Sequence, residues 1–259
     1  MVDWHDPVIV ARCARTAMFI QDLSGGCYIW EFLISLPFDW EHYKRKYPFR
    51  WPQVAYFGSR YLLGLGGLMA FRTSLVFGPT NCQAWFRASF ATAHACGALG
   101  SLLLFMRVIA LSGRNKYVIG ILGFWYLCQC AALVHTTIRI RGEYMPDLLL
   151  CAVTNTSISR INYFISFGFD FACLCIVFGY LFQARGAGLW DLLVSQGAVY
   201  FMVVIAAYTP PAILLILNLN DFMNTMLQVP SVVVLVVCAN RMYRNLIDFY
   251  ARLTADLTS

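Results

Sequence analysis

Charge is scarce in this chain. Asp, Glu, Lys and Arg make up only 12% of its 259 residues, against about 25% in soluble globular domains. That deficit sets aside a water-soluble enzyme and a DNA-binding domain. Histidine is scarcer still, with four in all, and His5 and His42 lie outside any apolar stretch. A multi-histidine metal centre within a membrane is therefore poorly supported. No lysine falls inside an apolar stretch, which excludes a retinal Schiff base of the usual kind. Gly-rich phosphate loops, HExxH, CxxC and GxSxG patterns are all missing, so the common phosphate, zinc, redox and serine-hydrolase signatures are absent. No enzymatic activity and no cofactor are expected. Apolar surface, in contrast, is abundant: 60% of the residues are hydrophobic and 16% aromatic, and the mean hydropathy is +0.64. Such a chain belongs in a lipid bilayer.

A membrane-crossing helix needs about 20 mostly apolar residues. Seven stretches qualify: Met18–Leu36, Val54–Phe77, Phe86–Ser112, Tyr117–Thr137, Ile161–Phe182, Ser195–Leu217 and Phe222–Met242. Turn residues and charges separate them, from Pro37 to Pro52, at Gly78–Asn81, Ser112–Lys116, Arg139–Ser159, Gln183–Gly188 and Asn218–Asp221. Valines crowd the segment after Pro230, yet helix is expected there, because an open strand cannot satisfy its backbone in lipid. No signal peptide is recognisable, so the first span is expected to direct insertion. The expected fold is an all-α, seven-transmembrane-helix bundle, residues 1–259 forming one domain in a plasma membrane or endomembrane.

Basic residues accumulate on the cytoplasmic side of short loops. Alternating sides along the seven spans puts all three lysines and nine arginines on one face and seven arginines on the other. The bias places the N-terminus outside and the C-terminus in the cytoplasm. The first inner loop, Pro37–Trp51, interleaves aromatics with Lys44, Arg45, Lys46 and Arg50. Aromatic belts and cationic anchors at lipid headgroups explain that mixture better than nucleic-acid binding. Beyond Met242, Leu246, Phe249, Tyr250 and Leu253 recur at helical spacing, and residues 243–259 are expected as an amphipathic tail along the inner surface.

Of ten cysteines, Cys96, Cys128, Cys130, Cys173, Cys175 and Cys238 fall inside spans and read as small apolar fillers. Cys82, just before the third span, and Cys151, in the fourth connection, are placed differently. On the expected topology both face an oxidising compartment, where a disulfide between them would persist; two free thiols are the alternative. Asn155-Thr156-Ser157 in the same connection is a glycosylation acceptor pattern.

Each ionisable group within a span needs an explanation, because burying it unpaired is costly. Asp22 and Arg72 sit at similar depth near the outer ends of the first two spans, and Glu31 and Arg60 near their inner ends. Asp22 and Glu31 are nine residues apart, roughly half a turn out of phase, so both pairs cannot share one seam. A Glu31–Arg60 ion pair is favoured, with Asp22 turned toward a cavity. Asp170, mid-span and without a local partner, contacts either a ligand or ion or another buried polar group. His94 and His135 are further candidates for the same cavity, as is Tyr208, which precedes Pro210 and Pro211. Those prolines each remove a backbone donor and are expected to bend the sixth span.

Gly26-Cys27-Tyr28-Ile29-Trp30-Glu31-Phe32, Trp40-Glu41 and Tyr47-Pro48-Phe49-Arg50-Trp51 resemble the opening of a large group of seven-helix membrane proteins of mushroom-forming fungi, akin to DUF6533-domain proteins. The similarity continues through Thr80–Trp85, Arg107–Leu111, Asn155-Thr156, Leu217–Asp221 and Arg241–Arg244, covering nearly the whole chain. The resemblance implies a seven-helix, receptor-like fold and no particular biochemistry. Members of that group carry a proline where this chain has Phe222, so the outer turn is expected to differ. Similarity to G-protein-coupled receptors is of topology alone, since the Asp-Arg-Tyr and Asn-Pro-x-x-Tyr signatures are missing.

Three functional classes follow. The leading expectation is a receptor-like protein with an outer cavity containing some of Asp22, Arg72, His94 and Asp170, roofed by the Cys82–Cys151 connection. A small ligand would enter it from outside, and the basic inner loops would meet a cytoplasmic partner. The alternatives are an ion, proton or solute transporter or channel using Asp170, Asp22 and His94, and a structural or lipid-interacting protein whose buried charges are all paired.

Overall fold

A computed structural model describes residues 4, 6–44, 51–75, 81–113, 115–145, 150–154, 157–183 and 189–258, with 70–75, 189–198 and 248–258 among those described by backbone only. These residues form helices α1 (Pro7–Ile34), α2 (Leu36–Tyr43), α3 (Trp51–Leu75), α4 (Cys82–Leu111), α5 (Lys116–Arg139), α6 (Ser157–Gln183), α7 (Leu189–Leu217), α8 (Asp221–Met226) and α9 (Gln228–Thr258). Between α5 and α6 lies an antiparallel hairpin, β1 (Arg141–Met145) and β2 (Leu150–Thr154).

Local chemistry starts and stops the helices. Asp6 accepts a hydrogen bond from Val8 N at 2.8 Å, with Pro7 opening α1; an acceptor at the cap and proline at the first position suit a helix start. Asn81, Asn115 and Asn220 cap α4, α5 and α8 in the same way. Asn218 ends α7 in the left-handed region (φ 48°), a conformation asparagine tolerates better than most residues.

Three boundaries differ from expectation. The first helix begins at Pro7 rather than Met18, because Asp6 and Pro7 supply a start that hydropathy does not register. The connection after it is partly helical, with Pro37 in the first turn of α2, where a missing N–H costs nothing. The expected tail is no separate element, since α9 continues through Met242 to Thr258.

Five helical stretches are long and apolar enough to cross a membrane: Cys82–Leu111, Lys116–Arg139, Ser159–Tyr180, Val199–Leu217 and Asp221–Ile247. Neither α1 nor the described part of α3 is among them; α1 carries Arg12, Arg15, Asp22 and Glu31, and α3 carries Gln53 and Arg60.

The packing is apolar outward and polar inward. Ile121, Phe124, Leu127, Val134 and Ile138 form one face of α5 and are 60–70% exposed, whereas Ser101, Gln129 and Asp170 are 1% exposed. A soluble monomer rarely presents such a face, and lipid accounts for it. Helices α4 and α9 lie at the centre. Leu104 and Val108 of α4 pack with Phe169 of α6, Leu215 of α7 and Leu235 of α9. On their other side, Tyr28, Leu63, Cys96 and Val236 join α1 and α3 to them. Of the six cysteines expected as fillers, Cys96, Cys173 and Cys238 are buried free thiols, whereas Cys130 is half-buried and Cys128 and Cys175 are exposed on the outer surface of the helices.

Candidate functional site

The loop between α5 and α6 is built rather than loose. Cys82, at the start of α4, is disulfide-bonded to Cys151 of β2, the pairing expected from the compartment argument. Gln83 holds the strand entry from both sides, donating Nε2 to Ile140 O at 2.9 Å and accepting Gly142 N at 2.7 Å. Gly142 must be glycine, since a Cβ there would lie 2.6 Å from Phe86 Cδ2 and 3.0 Å from Cys82 O. The register pairs Gly142 with Val153 and Tyr144 with Cys151, so these four share one face of the hairpin. Sequence reading left this segment without structure, although Leu150–Thr154 does include β-branched residues.

That face covers a cavity of about 540 Å³ bounded by α1, α3, α4, α8 and α9, a volume typical of small-molecule sites. On α1 the lining runs Ala14, Ala17, Met18, Gln21, Gly25, Tyr28, one helical face about 21 Å long. Gly66 and Gly67 of α3, Phe86 and Phe90 of α4, and Val229 and Val233 of α9 close the walls. Among the described residues no Lys, Arg or His lines it, and Asp221 is the one acidic residue that does. Its polar rim is largely occupied locally: Asn81 accepts from Ala84 N, Thr225 donates to Asp221 O, and Gln228 donates to Asn224 O. Ser89 Oγ differs, being buried with no hydrogen-bond partner. The signal that could have revealed this cavity is the run of small residues on one face of α1 opposite Gly66-Gly67.

The residues singled out from the sequence lie mostly elsewhere. Asp170 does not line this cavity. Its Oδ1 accepts from Ser101 Oγ at 2.6 Å and its Oδ2 from Tyr208 Oη at 3.1 Å, while Gln129 Nε2 donates to Ser101 Oγ at 3.3 Å. Helices α4, α5, α6 and α7 thus meet at one buried polar knot, so of the two alternatives open for Asp170 the structure shows the buried polar partners, and Tyr208 is one of them. His94 is bonded to Thr137 at 2.8 Å and sits edge-on to Phe90, a packing role behind the cavity wall. His135 is exposed on α5 and Asp22 is half-buried on α1; neither lines the cavity. Pro210 and Pro211 lie inside α7; Pro211 is fully buried. Asn155, the side chain of Arg72 and the basic residues at 45, 46 and 50 lie outside the described residues.

Because asparagine keeps one acceptor oxygen and turns its NH2 to the other hydroxyl, which can rotate to accept, Asp170→Asn is expected to shift stability by about 1 kcal/mol or less. Ligand-dependent stabilisation should be unchanged. Thermal unfolding with and without a bound molecule checks both.

The expected Glu31–Arg60 pair is replaced by two separate arrangements. Glu31, 8% exposed, accepts from Arg241 Nε at 3.0 Å and pairs with the terminal nitrogens of Arg241 and Arg244. Arg60 Nε lies 3.0 Å from Asp39 Oδ2, close enough for an ion pair but too poorly aligned for a hydrogen bond. Arg60 also donates to Tyr56 Oη at 3.0 Å and Phe32 O at 2.7 Å, and its guanidinium sits 4.4 Å from the Phe32 ring centre. The physical reason is the third partner: α9 brings two arginines to Glu31, and α2 brings Asp39 to Arg60. Sequence reading missed Asp39, Arg241 and Arg244 as partners because it placed Asp39 in a loop, Arg241 at the inner end of the last span and Arg244 in the tail. Together these contacts clamp α1, α2, α3 and α9 at the end of the bundle away from the hairpin.

No protein-family model matches the chain, and no curated protein matches it.

Proposed function

We propose that this chain is a seven-helix, receptor-like membrane protein that binds a small, elongated, uncharged and largely apolar molecule beneath the hairpin. The observation that carries the reading is the cavity: it runs about 21 Å along α1, has no cationic side chain among its described lining and leaves Ser89 Oγ as an unused hydrogen-bonding group. A ligand there replaces nothing the protein already bonds.

Two further features support seven crossings. Helix α1 has 28 residues and α3 has 25, lengths of about 42 and 37 Å. Their low hydropathy comes partly from charges that the fold neutralises, Glu31 by Arg241 and Arg244, and Arg60 by Asp39. Outward, α1 presents Phe19, Leu23, Trp30 and Leu33, and α3 presents Val54, Leu65 and Leu68, all exposed, which fits lipid contact. With the basic bias of the sequence, the hairpin end is the outer end, so the ligand arrives from outside and the clamp faces the cytoplasm.

Gly67 lines the cavity, and a Cβ there would meet nothing within 4 Å. Gly67→Phe therefore fills the space while improving helix propensity. In nanodiscs, a panel of sterols, terpenes and long-chain alcohols should contain molecules that raise the unfolding temperature of the wild type in proportion to occupancy. The same molecules should leave Gly67→Phe unmoved. A wild type indifferent to the whole panel, or a variant stabilised equally, would sink the reading.

A further inference from the structure

We propose, resting on the reading of the cavity as a ligand site, that it selects molecules with one neutral hydrogen-bonding group, a hydroxyl or a carbonyl, set about 10 Å from an apolar end. Ser89 of α4 and Gln21 of α1 hold that group. Hydroxyls inside helices often turn back to the carbonyl four residues earlier, as Ser24, Thr92 and Thr136 do at 2.7–2.9 Å. Ser89 Oγ makes no such bond; it is enclosed by protein and belongs to the cavity lining. Gln21 is half-buried on the α1 wall of the same cavity and has no side-chain hydrogen bond among the described residues. A hydroxyl and an amide can each donate and accept, and neither carries charge.

Their depths agree. Tyr28 Oη donates to Arg60 O, and Cys96 Sγ donates to Ser59 O at 3.1 Å, so consecutive carbonyls of α3 hold Tyr28 and Cys96 at about one level. Gln21 precedes Tyr28 by seven residues, and Ser89 precedes Cys96 by seven, on helices that both run inward from the hairpin end. Each therefore sits about 10 Å nearer the hairpin than that level. Gln228 of α9 also lines the cavity, but its Nε2 is committed to Asn224 O at 2.9 Å. Between the pair and the floor the walls are apolar, with Gly25, Leu62, Leu63, Val233 and the ring of Tyr28, whose hydroxyl is already bonded. A hydrocarbon end fits that floor. An ionised group lowered there loses its hydration without a counter-charge, whereas a hydroxyl or carbonyl meets two groups that otherwise bond nothing.

The full chain in nanodiscs, titrated with nonanol and with nonane at matched membrane concentration and followed by unfolding temperature, gives the test. Nonanol should bind about tenfold more tightly than nonane, as expected for one or two hydrogen bonds to groups left unmade by the alkane. Ser89→Ala should be at least as stable as wild type without ligand, because its hydroxyl bonds nothing. It should lower the nonanol affinity severalfold and leave nonane unchanged, and Gln21→Leu should do the same. Gly67→Phe should abolish binding of both. Equal affinity for the two probes, or a preference for the alcohol that survives both substitutions, overturns the proposal, and the loss of binding in Gly67→Phe then still upholds the ligand site itself. Nonylamine bound more tightly than nonanol overturns it too, by moving the anchor to Asp221. No shift of the wild type with any of these probes overturns the proposal together with the reading it rests on.

Discussion

Glu31→Gln is expected to destabilise the protein by about 3 kcal/mol, the cost of removing one partner from a buried ionic cluster. The side chain of Glu31 is 11% exposed and that of Arg244 15%, so the stranded guanidinium of Arg244 cannot recover full hydration. Arg241 is 50% exposed and can turn to solvent, which limits its own contribution to about 1 kcal/mol or less. The three variants Glu31→Gln, Arg244→Gln and Arg241→Gln should therefore rank in that order in SDS-titration or thermal unfolding. Glu31→Gln combined with Arg244→Gln should cost less than the sum of the two, because the double variant strands no charge between them. Additive losses, or a Glu31→Gln protein as stable as wild type, would show that the cluster does not hold α1 to α9.

The second large effect belongs to the disulfide. Cys82 and Cys151 are separated by 69 residues, and a cross-link closing a loop of that order stabilises by about 2–4 kcal/mol. Cys82→Ser should lose this amount. Dithiothreitol should lower the unfolding temperature of wild type to that of Cys82→Ser and leave the variant unaffected. The consequence extends beyond stability, because Cys151 and its register partner Tyr144 both line the cavity. Gln83 and the packing of Gly142 on Phe86 then hold the hairpin near α4 without a covalent link, and stabilisation by a cavity ligand should fall along with the unfolding temperature. A wild type insensitive to reductant would remove both expectations.

The sequence carried some of this directly and some not at all. Capping asparagines at 81, 115 and 220 mark their helices because a side-chain acceptor at that position acts within a few residues of chain. The Cys82–Cys151 bridge was legible from compartment and placement alone. Hydropathy, by contrast, reads each helix as though it were alone in lipid. It therefore cannot register that α1 brings Glu31 to two arginines of α9, 210 and 213 residues away. Nor can it tell that Asp170 is met by Ser101 and Tyr208 from neighbouring helices. The hairpin escaped notice for a similar reason, since a two-stranded ribbon is stable here through the disulfide and Gln83 and not through its own composition.

What the sequence determined by itself is the medium and the parts: a chain with so little charge and so much apolar surface must form helices for lipid, and its turn residues and charges separate several of them. Tertiary structure alone decided what each scarce charge does. Ion pairs, buried hydroxyl networks and cavities arise where faces of different helices meet, and their energies depend on distances of a few ångströms that no periodicity within one helix encodes. Asp170, the loneliest charge in the sequence, proves to be held by Ser101 and Tyr208. The apolar space under the hairpin was written in alanines and glycines, whose small side chains mean little until the opposite wall is in place.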